Sequence, residues 1–424
     1  MVTMIASVKK SIGSGENSVN EAMSVVSRWR QRVRRGGQTL AAAAIAALLG
    51  GCALPDIGYY WQGARGQLQM LHAARPVSDW LDQPDLPPTL RSQLQLARQA
   101  RDFASQALAL PDNASYRRYA ALNRAAAVWN VTAAPPDSLE LHQWCFPVAG
   151  CVGYRGYFTL ADAQAQGQAL AAQGLDVHVY PVPAYSTLGY FNWLGGDPLL
   201  DTFVRWPEGE LVGLLFHELS HQRVYLAGDM AFNESYATAV EQLGTAAWLR
   251  QSPTAAAAAP AWQAAQQRRA QFRALTHSTR QALETLYAEP SEALPGTKAQ
   301  IMADFRARYQ ALRAQWLASP ELAARPQAAA QSLQRLDRWV AEANNASFGA
   351  LSAYDTWVVA FAALFAQQAG QADAWAAFHQ AVEKLSRQPR AQRLAALCAL
   401  MPGPAAALPR DCNEDGGAVS SGTR

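Results

Sequence analysis

Two histidines and two glutamates stand close together in the chain. In FHELSH (216–221), His217 and His221 are spaced i, i+4, so both imidazoles leave one face of a helix, one turn apart. Two such nitrogens can be accepted by one tetrahedral zinc ion at about 2.0–2.1 Å. Glu218 points about 100° further round the helix, given 3.6 residues per turn. It is therefore poorly placed to share that coordination direction, but it can reach a water beside it and act as a general base. Leu211, Val212, Leu214, Leu215 and Phe216 supply the apolar face that would bury such a helix. A third ligand is needed, and Glu234, after Asn233 in AFNESYATAVEQLG, is the best placed. It falls in the first turn of a second helix by apolar spacing. Gly228-Asp229 marks a tight turn that would bring the second helix back antiparallel over His221.

HELSH followed by FNESYATAVE is similar to the gluzincin peptidases, in which HExxH on one helix is followed by Asn-Glu opening the next. The resemblance implies one Zn2+ per chain held by His217, His221 and Glu234, with Glu218 as general base in hydrolysis of a peptide bond. The interval from His221 to Glu234 is twelve residues, shorter than in those families, and Glu241 falls at the longer interval of nineteen. The Asn-Glu-x-x-Ala wording favours Glu234 as the ligand and makes Glu241 the acidic residue behind it. Thermolysin-like enzymes carry Asp four residues after the ligand Glu; here that place is Thr238. YYWQGARGQLQML, WCFPVAGCVGYRGYF, AYSTLGYFNWLGGDPLLDTF and NNASFGALSAYDTWVVAFAALF also resemble a proteobacterial lipoprotein family of predicted aminopeptidases, over most of residues 52–390. An oxyanion donor is then expected, with Tyr354 first and Tyr225 or His277 as alternatives. Peptidases of this kind add extended peptide to a sheet edge, which points to the stretch from Ser186 to Tyr190, with Gly189 allowing close approach and Asp197 or Asp201 holding a substrate ammonium. The Gly-x-Met-Glu-Asn segment by which the resembling aminopeptidases fix a free N-terminus is not found. Two other readings use the same residues: a catalytically silent envelope lipoprotein that binds peptides or envelope partners, and a zinc hydrolase of a non-peptide amide. The intact Glu218 speaks against the first.

The elements that must position these residues are mostly helical. The chain has 424 residues, 50% hydrophobic and 16% charged, rich in alanine and poor in β-branched runs, so the expected class is α+β and predominantly helical. Helical spacing is read over QLQMLHAARPVSDWL, RSQLQLARQARDFASQALAL, Asn113–Trp129 (with Ser115 as a cap), LADAQAQGQALAAQGL, 208–227, about 232–250 and nearly everything after 252. Strands are expected only between about 144 and 205, in CVGYRGYF, DVHVYPVPAY and, at an edge, STLGYFNW. The expected organisation is a signal segment (1–51), a short tether, a metallopeptidase core with the motif helix and a small sheet (52–250), a helical subdomain completing the cleft (251–400) and a loose tail (401–424).

The N-terminus reads as an address. Arginines from Arg28 to Arg35 precede TLAAAAIAALLG, an apolar stretch too short to span a bilayer comfortably, and Leu49-Gly50-Gly51-Cys52 follows. The pattern resembles a bacterial lipoprotein signal, which implies lipidation of Cys52, a membrane anchor and a place in the cell envelope. Ala53 at the next position points to the outer membrane, facing the periplasm. Met23 would serve as the start, with residues 1–22 upstream of any needed signal. In that oxidising compartment Cys145, Cys151, Cys398 and Cys412 are an even set; pairing near neighbours is simplest, while three connectivities are open. With 36 basic and 33 acidic residues, a formal charge of +3, and part of the excess in the leader, nothing argues for nucleic acid. His72, His142, His178 and His379 lack partners at ligand spacing, and Arg155 is read as structural. Oligomeric state and physiological substrate are not legible.

Overall fold

The computed structural model describes residues 57–146, 150–184, 187, 195–251, 253–288, 294–401 and 412. The chain divides into two units, Met1–Gln62 and Gly63–Arg424. Of the first, only the opening of helix α1 (Ile57–Ala73) is described; Cys52 and the signal segment lie outside the described residues. The fold is predominantly helical with small sheets, an α+β arrangement.

In the second unit three short sheets sit among helices. β1 (Arg75–Pro76) pairs antiparallel with β2 (Arg118–Ala120), which pairs parallel with β8 (Leu199–Leu200). The central strand of the second sheet, β3 (Val128–Ala134), lies antiparallel to β6 (Arg155–Tyr157) on one side and β7 (Asp176–Val182) on the other. A hairpin of β4 (Trp144–Phe146) and β5 (Gly150–Val152) is closed by the Cys145–Cys151 disulfide. A second disulfide joins Cys398 to Cys412, so of the three open pairings the near-neighbour one is present.

The helices that matter for the site are α2 (Pro88–Gln106), α3 (Leu160–Ala171), α4 (Glu208–His221), α5 (Met230–Arg250), α6 (Ala259–Ala288), α7 (Leu294–Leu317), α8 (Pro326–Glu342), α9 (Asn345–Asp355), α10 (Val358–Ala366), α11 (Ala374–Ser386) and α12 (Arg390–Leu400). Leu211, Val212, Leu215 and Phe216 of α4 are fully buried against Val240 of α5 and residues of α2, in a core that also takes in Trp357, Phe361 and Phe378. A second core gathers Leu275, Leu283, Phe305, Tyr309, Trp316, Leu333 and Phe348 around α6–α8. The helices after Trp357 return to the first core, where Phe361 packs against Phe232 and Tyr236 of α5.

Four local expectations are corrected. Asn113–Trp129 is not a helix. Tyr116 (φ 63°) and Asn123 (φ 51°) are left-handed, which ends any helix there, and sheet pairing claims Arg118–Ala120 and the strand from Val128. Ser115, expected as a helix cap, is buried, and its hydroxyl accepts from the Asp197 and Gln222 amides. CVGYRGYF breaks after Val152, since its two halves pair in different sheets. The motif helix, expected to reach 227, ends at His221. The tether expected over 53–66 is already helical from Ile57.

Candidate metal centre

The site is built where α4 and α5 cross the eight residues that join them. Pro207 precedes the first turn of α4, where Glu208 and Glu210 suit the positive helix end, and His221 occupies the last turn. Contacts run in opposite senses along the two helices: Glu208 with Trp248, Gly213 with Thr245, His217 with Glu241, His221 with Glu234. The helices are therefore antiparallel, as a short connection requires. Gly228 takes φ +81°, which the turn needs and a side chain would resist. Asp229 caps α5 by accepting from the Phe232 amide at 3.0 Å. Asn233, only 1% exposed, spends its whole side chain on the connection: its Oδ1 accepts from the Leu226 N–H and its Nδ2 donates to the Leu226 carbonyl, each at 2.8 Å. The Asn of the Asn-Glu pair thus fixes the turn, and the Glu beside it is delivered to the histidines.

Glu234 Oε2 lies 3.3 Å from His217 Nε2, and Oε1 lies 3.8 Å from His221 Nε2. One ligand atom from each of the three falls within 4.8 Å of the others. Ligands around a tetrahedral ion at about 2.0–2.1 Å stand roughly 3.3–3.4 Å apart, so the donor set fits a metal ion with little adjustment. Behind His217, Glu241 Oε2 sits 3.3 Å from Nδ1, and Arg269 of α6 stands 3.9 Å from the other Glu241 oxygen while pairing with Glu210 at 2.9 Å. Burial opposes protonation of His217, yet its contacts with Glu234 and Glu241 hold its pKa well above the usual imidazole range. His221 goes the other way, to about 4, because burial dominates and only part of that is offset by Glu234. Burial works to raise both carboxylates, but the histidines, and for Glu241 also Arg269 and Arg273, keep them below the usual range. A partly buried pair of carboxylates around imidazoles is a place where positive charge is held, whether as a proton or as a cation.

The other candidates are dispersed. Glu218 is half-buried beside His217, and Thr238 is half-buried one turn past Glu234. Tyr225 stacks edge-on to His221 at 6.3 Å between ring centres. His277 is exposed on α6, turned to solvent. Tyr354 belongs to α9, which Asn344 and Asn345 tie to the second sheet through Val177, Pro135 and Ser138; the description of its side chain lies outside the described residues. So do Ser186 and Gly189. Asp197 is directed inward, 1% exposed, with its carboxylate accepting from the Thr187 amide and hydroxyl and from Gln222. Asp201 accepts from the Leu122 and Asn123 amides. His379 is fully buried between the Tyr236 hydroxyl and the Leu108 carbonyl, and His178 stacks on Tyr180. Tyr180 itself was not anticipated. Burial raises its hydroxyl pKa, and the charge of Glu234 raises it further, which puts that hydroxyl in the field of the site. The signal was an aromatic on a strand, too common to single out.

Fold and site together define a predominantly helical α+β protein with a partly buried His/His/Glu cluster able to hold a metal ion. The chain belongs to the family described as putative aminopeptidase, which it matches over residues 58–397. No curated protein and no solved structure matches it.

Proposed function

We propose that the protein is a zinc-dependent peptidase of the bacterial cell envelope, tethered through lipid on Cys52, and an aminopeptidase as its family description suggests. The observation that carries the reading is the convergence of His217, His221 and Glu234, with Glu241 placed against the far nitrogen of His217. Two imidazoles and a carboxylate are a donor set suited to catalytic zinc, and three protein ligands leave one position open. Bound there, zinc would supply Lewis acidity, acidifying water and polarising a carbonyl.

The rest is done by the chain. Glu241 accepts from His217 Nδ1, fixing the tautomer that leaves Nε2 as the ligand atom. Asn233 and Asp229 lock the connection so that Glu234 stays opposed to both rings. Glu218, one residue from His217 and outside the ligand set, takes a proton from the attacking water and hands it to the nitrogen of the leaving amine. The buried helix pair excludes bulk water from behind the cluster.

Metal analysis of the purified protein, wild type and Glu218→Gln, alongside cleavage of a mixed peptide library, tests this. Both proteins should carry about one zinc, and the variant should lose roughly 10²–10⁴ in kcat/KM. Zinc without Glu218-dependent cleavage would sink the peptidase; no stoichiometric metal in either would sink the site. Cys52→Ser should release the protein from membranes.

A further inference from the structure

The two histidines of the cluster are not held in the same way. His217 has Glu241 at its Nδ1, 3.3 Å away. His221 is only 6% exposed; its Nε2 faces Glu234, but its Nδ1 is buried with no hydrogen-bond partner among the described residues. A ligating imidazole usually has its second nitrogen engaged, which fixes the ring and its tautomer. His221 lacks that restraint, and it stands in the last turn of α4, where helices fray. The backbone there is already leaving the α-helix. The Gln222 N–H reaches the Leu219 carbonyl at 3.1 Å and the Arg223 N–H the Ser220 carbonyl at 2.9 Å, both of three-residue span. The place of His221 is therefore set by whatever holds the end of the helix.

Gln222, the next residue, holds it. Both ends of its side-chain amide are engaged. Oε1 accepts from Asn113 Nδ2 at 2.8 Å, and Nε2 donates to Ser115 Oγ at 3.1 Å and to Asp197 Oδ2 at 3.3 Å. Ser115 and Asp197 are buried, so water competes poorly for these bonds. The anchor is itself rigid. The Ser115 N–H donates to Asn113 Oδ1 at 3.0 Å, and the Asp197 N–H to Ser115 Oγ at 3.1 Å. Arg101 of α2, fully buried, donates to the carbonyls of Pro111, Asn113 and Ser115 at 2.7, 3.2 and 2.9 Å. Gly196, at φ +67°, lies so close that a Cβ there would come within 2.4 Å of the Ser115 nitrogen. The helix end that carries His221 is thus fastened to a pinned loop 107 to 109 residues earlier in the chain.

We propose that Gln222 is a positioning residue for the metal: through Asn113, Ser115 and Asp197 it fixes the end of α4, and with it the ring of His221, in place of the acceptor that Glu241 gives to His217. The inference rests on the metal reading above and not on peptide cleavage. Zinc affinity is measured by competition with a chromogenic chelator, ligand geometry by the visible absorption of the cobalt(II)-substituted protein, and stability by urea unfolding of the metal-free protein. Gln222→Met keeps the length of the side chain and removes all three bonds. Its zinc affinity should fall roughly 10–100-fold, as loss of an orienting partner does, and its cobalt spectrum should change. Asn113→Asp keeps the acceptor for the Ser115 N–H and removes the donor to Gln222, so its affinity should fall by a smaller factor. The double variant should lose no more than Gln222→Met alone, because the effect of Asn113 passes through Gln222. Lowered stability with unchanged zinc affinity and cobalt spectrum would make Gln222 a merely structural residue and overturn the proposal, and additive losses in the double variant would do the same. Should Gln222→Met fail to fold, Asn113→Asp decides alone, and unchanged affinity in it overturns the proposal. A wild-type protein that binds neither zinc nor cobalt overturns the metal reading and the proposal with it. Zinc binding that depends on Gln222, in a protein that cleaves no peptide, keeps the proposal and overturns the peptidase.

Discussion

Gly213 offers the sharpest test of how the cluster is held. It lies one turn before His217 on α4, and a Cβ there would come within 3.1 Å of Glu241 Cγ, 3.1 Å of Thr245 Oγ1 and 3.5 Å of Glu241 Oε1. Such contacts require the neighbour to give by a few tenths of an ångström. Glu241 has no such margin: its Oε2 is already 3.3 Å from His217 Nδ1, and a retreat of that size passes the limit of about 3.5 Å for a hydrogen bond. In Gly213→Ala, His217 would lose the acceptor that sets its tautomer, and loss of such a partner typically lowers metal affinity 10–100-fold, or about 1.4–2.7 kcal/mol. Folding stability should move little, because Ala gains about 1 kcal/mol of helix propensity over Gly against an overpacking cost of similar size. The assay is competition for zinc with a chromogenic chelator at neutral pH, paired with urea unfolding of the metal-free protein. Glu241→Ala should show the same affinity loss, and adding Gly213→Ala to it should cost no more. Unchanged affinity in Gly213→Ala, or additive losses in the double variant, would refute the claim that Glu241 orients His217.

Three further outcomes follow from the same geometry. Asn233→Ala removes both bonds to Leu226 and leaves a backbone donor and acceptor without partners, so urea unfolding should show a loss of roughly 2–4 kcal/mol; a loss under 1 kcal/mol would show that the connection is held elsewhere. Asp197→Asn puts an amide where the Thr187 N–H and the Gln222 amide both donate, so the melting temperature should fall with no selective rise in KM for peptides with a free amino terminus; a selective rise would restore Asp197 as an ammonium holder. His379 has its pKa lowered by burial to about 4 from 6.5, so the unfolded chain binds its proton first: the stability it contributes is complete above pH 6.5 and is lost as pH falls toward 4, about 2 kcal/mol by pH 5. The drop in unfolding free energy between pH 7 and 5 should therefore be smaller by that amount in His379→Gln than in wild type, and an equal drop would show that His379 does not carry this acid sensitivity.

What was legible in the sequence is what is local. His217 and His221 share a face because four residues make one turn; Glu234 returns to them because Gly228 can take a positive φ and Asp229 can cap a helix. Each of those statements concerns residues within a few positions of one another, and the helix pair follows from them. The errors have the opposite character. Arg118–Ala120 and Val128–Ala134 carry alanines at helical spacing, but their backbone is claimed by strands whose paired residues lie 24 (Val131 with Arg155) to 80 (Tyr119 with Leu199) positions away, in Arg155–Tyr157, Asp176–Val182 and Leu199–Leu200; local propensity is a weak prior against such pairing. The Asp197 carboxylate is likewise held by partners outside its own turn, the Thr187 amide and hydroxyl and the Gln222 amide. The same rule applies beside the ligand turn. Asp229 reads in the sequence only as a turn residue, and the fold adds its contact with Arg393, 164 residues further on. A metal cluster of this kind can be read from one segment because a single short helix pair suffices to hold it, whereas a pocket that selects among substrates is walled by whatever segments the fold brings against that pair.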